Sequence, residues 1–155
     1  MEILPLFSTM KVYKKDVMYN QGDQSLDIFF IIRGRVKFYV DLNQDVLGKE
    51  PANVPIHLHV EGSYFGDSDV LINRGKDGRE STAVAETECD LEVINRQNMM
   101  KVLRKFPEIK NEMKEVAKRR RANHWKNVKF ARGTRGLKRE KKADPLANEY
   151  KRSNS

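Results

Sequence analysis

Apolar positions in the first part of the chain fall into short runs separated by turn-forming residues. Between residues 10 and 40 the runs are rich in β-branched and aromatic side chains, and turn sequences such as that at residues 20–23 divide them. This pattern is typical of short strands. Residues 28–32 are a continuous apolar run, which predicts a strand buried on both faces, whereas residues 36–40 alternate as a half-buried strand does.

A strictly alternating segment at residues 56–60 carries two histidines among three aliphatic residues. Successive side chains of a strand point to opposite faces, so His57 and His59 share one face. We expect this face to be exposed to solvent and the aliphatic face to be buried. Two histidines at this spacing suit a metal ion, but the sequence suggests no third ligand nearby, and we predict no metal site.

Helical spacing then replaces the strand pattern. Residues 82–85 and 91–94 predict two further strands, after which the apolar residues between Met99 and Phe106 follow a helical period. Pro107 ends this helix and suits the first turn of the next one.

The second helix is predicted by a single apolar stripe. Ile109, Met113, Val116 and Ala117 lie on one helical face, and the helix can continue through Trp125. Many short strands followed by two helices predict an α+β fold, an antiparallel, jelly-roll-like β-roll with two C-terminal helices.

Positive charge is concentrated at the C-terminal end of this 155-residue chain, whose formal net charge is +8. Residues 1–117 contain 16 Lys and Arg against 19 Asp and Glu, whereas residues 118–155 contain 14 against 3. The excess charge therefore belongs to the tail. It does not indicate that the body of the protein binds nucleic acid.

The tail differs from the body in its content of apolar residues. Few follow Phe130, and Gly133 and Gly136 are expected to interrupt any helix. We therefore predict a domain at residues 1–125 and a basic, flexible extension at residues 126–155.

The residue types of a catalytic centre do not come together in this sequence. Cys89 is the single cysteine, so no disulfide within the chain can form. No nucleophile with an adjacent base, no set of metal ligands and no pair of catalytic carboxylates emerges. The apolar runs are too short to span a bilayer. We predict that the chain is not an enzyme and that it does not itself cross a membrane.

One segment carries the chemistry of anion recognition. Gly66 lies in a turn that opens a short helical segment, and such a turn can direct backbone N–H groups at an anion. Arg79 follows about a dozen residues later and can offer a bidentate guanidinium to the same phosphate. Asp67 can accept hydrogen bonds from a sugar hydroxyl. This set suits a ribose phosphate.

The ordered set of motifs resembles the cyclic-nucleotide-binding domain family over most of residues 3–125. The motifs are QGD at residues 21–23, FIIRGRV at 30–36, GSYFGD at 62–67, RESTA at 79–83 and the Phe-Pro break at 106–107.

The resemblance implies a β-roll, a phosphate-binding cassette, and a hinge helix followed by a lid helix. It implies that Gly66 and its neighbours bind the cyclic phosphate together with Arg79, that Asp67 binds the ribose 2′-hydroxyl, and that Arg120 lies over the base. It also implies no cofactor but a reversible ligand, cAMP or cGMP. The predicted ligand-binding residues are Phe65, Gly66, Asp67, Ser68, Asp69, Arg79, Glu80, Ser81 and Arg120.

Three residues depart from the family pattern. Asp67 replaces a longer glutamate, Asp69 stands where a small residue is usual near the phosphate, and Glu80 replaces a threonine or alanine. The absence of the threonine favours cAMP over cGMP, while the added acids favour weak binding or none. A second hypothesis therefore stays open, in which Arg79 is a surface arginine paired with Asp67, Asp69 or Glu80. The domain would then have a silent pocket and a structural role.

The sequence is most similar to the C-terminal domains of hyperpolarisation-activated, cyclic-nucleotide-gated and ether-à-go-go-type potassium channels, in particular divergent protist members. This implies a pore upstream, a homotetramer, a position on the cytoplasmic side of a membrane, and gating through the lid helix. The basic tail would then face anionic lipids. A kinase-regulatory-subunit-like cAMP sensor is an alternative. A nucleic-acid partner is disfavoured because residues 126–155 contain no helix-turn-helix pattern.

Overall fold

The computed structural model describes residues 4–24, 26–72 and 78–142. Within them the chain forms eight strands and three α-helices, preceded by a short 3-10 turn at Leu4–Leu6. No helix of the described residues is both long enough and apolar enough to cross a bilayer. The elements are β1 (Ser8–Val12), β2 (Val17–Tyr19), β3 (Asp27–Arg33), β4 (Val36–Asp41), β5 (Asn53–His59), β6 (Tyr64–Phe65), α1 (Asp67–Leu71), β7 (Thr82–Ala85), β8 (Cys89–Asn95), α2 (Arg96–Lys105) and α3 (Pro107–Lys142).

The strands form two antiparallel sheets, with the orders β1-β8-β3-β6 and β2-β7-β4-β5. Their inner faces meet in a core rich in aromatic rings. Phe29 and Phe65 stack with ring centroids 4.9 Å apart, and Tyr19 lies 5.9 Å from Phe29. The predicted β-roll followed by two helices is confirmed.

Strand β3 is buried less completely than the sequence predicted. Ile28, Phe29 and Ile31 are buried, but Ile32 is 61% exposed. The pairing of β3 with β8 is irregular between Ile31 and Arg33, which places Ile32 where the strand leaves the regular ladder. The prediction of a strand buried on both faces is therefore wrong at its last residue.

The predicted orientation of β5 is wrong at His59, Leu58 and Val60, although His57 is exposed as expected. His59 is buried, whereas Leu58 and Val60 are exposed. His57 and His59 pair with Phe38 and Val36, which point into the roll, and directly opposed residues share a face. A register shift between Phe38 and Tyr39 then changes the alternation, so that Val54 and Ile56 turn inward as well.

Helix α3 continues beyond the predicted domain boundary at residue 125. It runs through Gly133 and Gly136 to Lys142, so the expectation that these glycines interrupt the helix is wrong. Val128 is fully buried against Val40 of β4 and Leu42, which follows that strand. This packing fixes the helix on the roll and offsets the roughly 1 kcal/mol that a glycine costs within a helix. Residues 143–155 of the predicted extension lie outside the described residues.

Loss of the Val128 contact tests whether α3 is part of the domain. We expect Val128→Ala to lower the free energy of unfolding by about 1 to 3 kcal/mol, because it removes buried methyl groups and leaves a cavity. Phe130→Ala is the matched control, since Phe130 is on the same helix and 75% exposed. Urea unfolding of both variants measures the difference. Equal stabilities would show that α3 does not depend on this contact.

Candidate ligand-binding site

The cassette begins at a tight turn between β6 and α1 that only glycine fits. Gly66 has φ 85°, in the left-handed region. A Cβ atom at this position would lie 2.7 Å from the carbonyl oxygen of Asp27 and 2.8 Å from Nη1 of Arg79. Both the backbone angle and the close approach of these atoms therefore require glycine.

Arg79 is a buried strut of the cassette rather than a surface residue. Its Nη1 donates to the carbonyl oxygen of Gly66 and to Oδ2 of Asp69, each at 3.1 Å, and its Nη2 donates to the carbonyl oxygen of Asp27 at 2.6 Å. The guanidinium also lies 4.2 Å from the ring centroid of Tyr19. One side chain thus joins α1, β3 and β2.

A cavity of about 90 Å³ lies between the cassette and α3. Eight of the nine predicted ligand-binding residues line it, and the exception is Arg79, whose side chain is fully buried behind them. The lining residues include Phe65, Gly66, Asp67, Ser68, Asp69, Glu80, Ser81 and Arg120, joined by Phe38, His57, His59, Asn123, His124 and Asn127.

Two neighbouring arginines of α3 bind acids of the cassette. Arg120 Nη1 lies 3.1 Å from Oδ1 of Asp67, and Arg121 Nε lies 2.9 Å from Oε1 of Glu80. Arg120 also donates to the carbonyl oxygen of Tyr64, and its guanidinium lies 4.7 Å from the centroid of that ring. The helix is thereby attached to the cassette on both sides of the cavity.

The two buried aspartates are only partly satisfied. Oδ2 of Asp67 and Oδ1 of Asp69 have no hydrogen-bond partner among the described residues. Burial raises the pKa of Asp69 to about 6, although Arg79 acts in the opposite direction. Burial likewise raises the pKa of Asp67, and the Arg120 charge lowers it. The site therefore offers acceptors that a hydroxyl-bearing ligand can use.

The model of the cyclic nucleotide-binding domain matches residues 9–106 of this sequence. The chain belongs to this family. The search of curated protein sequences gave no significant match.

Solved structures of the same fold include proteins of several kinds. The cAMP-bound form of the EAL enzyme Bd1971 is 20% identical, with a TM-score of 0.56 over 74% of this chain and 29% of its own. The regulatory domain of Toxoplasma gondii PKA with cAMP is 14% identical, with a TM-score of 0.61 over 76% and 41%. The c-di-GMP responsive regulator CLP of Xanthomonas campestris is 14% identical, with a TM-score of 0.63 over 82% and 58%. The chain spans less than two thirds of each, and these likenesses show the fold.

The cassette of this cyclic nucleotide-binding domain differs from the expected pattern at its arginine. The resemblance gives Arg79 a phosphate as partner, and here it donates hydrogen bonds to Asp69 and to two backbone carbonyls. Pairing with Asp69 was one of the alternatives left open by the sequence. The expectation that such a pair would lie on the surface is wrong, because the Arg79 side chain is fully buried.

Histidines and amides of α3 complete the cavity, and the sequence analysis did not include them in the site. Burial lowers the pKa of His59 to about 3, so its neutral ring can accept a hydrogen bond at Nδ1, which lies 3.2 Å from Arg120 Nη2. The signal for His57 and His59 was their shared strand face, which was expected to face solvent; His57 is exposed at the cavity, whereas His59 is buried. Asn123 and Asn127 are four residues apart on α3, a spacing that places both on one helical face.

The close approach at Gly66 predicts a graded pair of substitutions. Gly62 also has positive φ, but a Cβ there would meet nothing within 4 Å. We expect Gly62→Ala to cost about 1 kcal/mol for its backbone angle alone. Gly66→Ala should cost a further ~1 to 3 kcal/mol, because Asp27 or Arg79 must move. Thermal unfolding compares the two, and equal losses would contradict the crowded geometry.

The raised pKa of Asp69 predicts a pH-dependent stability difference from Asp69→Asn. Burial raises the pKa of this carboxyl from 3.8 to about 6, so the folded chain binds the proton more tightly than the unfolded chain does. The stability gained from this proton is present at low pH and is lost as the pH rises through about 6. As the pH falls from about 8 to about 5, we expect the free energy of unfolding of wild type to rise by on the order of 1 kcal/mol relative to that of Asp69→Asn. Urea unfolding at both pH values measures this difference. A difference that does not change with pH would contradict the assignment.

Proposed function

We propose that this chain is a cyclic-nucleotide-sensing regulatory domain in which movement of α3 reports occupancy of the pocket. The observation that carries the proposal is the cavity itself. It lies between the cassette and α3, and it gathers Gly66, Asp67, Ser81 and Arg120 at one place. These residues come from three separate parts of the sequence and match the family positions for phosphate, ribose and base.

The ligand that we propose is cAMP rather than cGMP. Glu80 follows the cassette arginine at the position where a threonine favours cGMP. Its carboxylate lines the cavity and accepts a hydrogen bond from Arg121. Solved domains of this fold include the Bd1971 and Toxoplasma gondii PKA structures with cAMP, and a kinase-regulatory-subunit-like sensor is therefore a related possibility for this chain.

The wider setting that we propose is a tetrameric cation or potassium channel, with the domain on the cytoplasmic side of the membrane. The support is the sequence resemblance at residues 62–66, 85–91 and 106–107 to channel domains. In that setting the pore lies in another part of the protein, α3 transmits the state of the pocket, and the basic end of the chain faces anionic lipids.

A structural domain with a silent pocket is the second candidate, and the pairing of Arg79 favours it. Its guanidinium is held by Asp69 and two carbonyls and does not line the cavity. A cyclic phosphate would meet the carboxylate of Asp69 near this position, and two close anions in a partly desolvated site repel. Whether nucleotide binds therefore decides between the two functions.

Isothermal titration calorimetry with cAMP and cGMP tests the proposal. We expect wild type to bind cAMP more tightly than cGMP and Arg79→Ala to lose binding. Arg33→Ala is the control, because that side chain is 78% exposed, pairs with Asp90 and does not line the cavity. Circular dichroism checks that each variant is folded. If Arg79→Ala does not fold, Arg79→Lys keeps the charge but loses the forked geometry, and it should weaken binding.

Absence of a binding heat from folded wild type at millimolar nucleotide would exclude the sensor function and favour the silent pocket. Equal binding by wild type and a folded Arg79 variant would exclude a role for this arginine in holding the phosphate.

A further inference from the structure

We propose that Arg121 and Glu80, together with Arg120 and Asp67, form a latch that holds α3 against the cassette and sets the affinity of the pocket for its ligand. The inference rests on the proposed function and deepens it, because it names a control of the same pocket. Here "latch" means these two ion pairs.

The two arginines of the latch are consecutive on a helix and therefore reach different parts of the cassette. Successive residues of an α-helix point about 100° apart, since 3.6 residues make one turn. Arg120 reaches the wall formed by Asp67, His59 and the Tyr64 carbonyl, and Arg121 reaches Glu80 on the segment before β7. The two pairs diverge from the helix axis, and together with the packing of Val128 they restrict the rotation of α3.

Burial distinguishes the latch from ordinary surface pairs. The side chains are 27% and 5% exposed in the Arg120 pair with Asp67, and 33% and 11% exposed in the Arg121 pair with Glu80. Lys118 and Glu115 on the same helix form a pair whose side chains are 63% and 69% exposed. Partly buried pairs are less screened by salt and water, so the two latch pairs hold α3 more strongly.

The latched arrangement and a bound nucleotide exclude each other. The cavity is about 90 Å³, whereas pockets for small organic ligands measure roughly 300 to 1,000 Å³. Arg120 also occupies Oδ1 of Asp67, the carboxylate that the family pattern gives to the ribose hydroxyl. Because the two ion pairs hold α3 over the cavity, widening the cavity for a nucleotide requires these arginines to leave their acids.

A self-closing lid lowers the apparent affinity of the pocket. The apparent dissociation constant equals the intrinsic one divided by the fraction of molecules with a competent pocket. Weakening the latch raises this fraction. Loss of the Arg121 pair should therefore tighten binding of cAMP, although the change removes a positive charge next to an anion.

Trp125 provides a direct reporter of the latch. It is the single tryptophan of the chain, it lies on α3 four residues after Arg121, and it is 45% exposed. Its fluorescence and its quenching by acrylamide therefore report the position of this part of the helix without any ligand. The variants are Arg121→Gln, Glu80→Gln and the double variant, with Lys118→Gln as a control that removes one positive charge from an exposed pair on the same helix.

We expect Arg121→Gln to increase acrylamide quenching of Trp125 and to tighten cAMP binding about fivefold or more, with Lys118→Gln unchanged in both. Glu80→Gln should increase the quenching equally, and the double variant should add nothing, because both changes remove the same pair. Unchanged quenching in Arg121→Gln, or weaker cAMP binding by this variant, would overturn the latch. If quenching increases but no form binds nucleotide, the attachment of α3 by these pairs stands, whereas the control of affinity and the sensor function both fail.

Discussion

The buried guanidinium of Arg79 is the interaction on which the rest of the site depends. It donates hydrogen bonds to the Gly66 carbonyl, the Asp27 carbonyl and the Asp69 carboxylate. A buried charge without partners would cost several kcal/mol, so the turn at Gly66 and the start of β3 are held at the places where they satisfy it. The geometry of the cassette therefore follows from placing one arginine inside the roll.

Charge neutrality of the pocket follows from the same constraint. Asp69 neutralises Arg79, and the two remaining acids, Asp67 and Glu80, take their partners from α3. Helix α3 is attracted to the pocket by two of the carboxylates that depart from the family pattern, Asp67 and Glu80. These departures were expected only to weaken ligand binding, but they also give α3 two places to bind. The proposed latch therefore makes the affinity of the pocket depend on competition between a ligand and α3.

The order of strands and helices was predictable because each element has its own local spacing of apolar residues. The change from alternating to helical spacing near Met99 and the break at Pro107 needed no knowledge of distant residues. The burial of His59 was not predictable in this way, since it depends on the pairing of β5 with Val36 and Phe38 of another strand. The continuation of α3 past Gly133 likewise depends on Val128, whose contacts lie on β4 and the residue that follows it.

Most residues that line the cavity could be predicted from the sequence, but the ion pairs among them could not. Motif order brought Gly66, Asp67, Asp69 and Arg79 together, because a cassette is a local structure. The rotation of α3 relative to the roll decides which acid each arginine binds. This rotation depends on contacts between distant parts of the chain and cannot be inferred from a local sequence pattern. Arg121 was therefore missed, although its neighbour Arg120 was identified by resemblance.

A crystal structure of the full chain with cAMP would show whether the ligand and the two ion pairs compete for the same pocket. We expect the ribose hydroxyls on Asp67, with Arg120 and Arg121 moved away from Asp67 and Glu80 and the cavity widened beneath a displaced α3. A nucleotide bound in the cavity with both ion pairs intact would show that ligand and latch do not exclude each other.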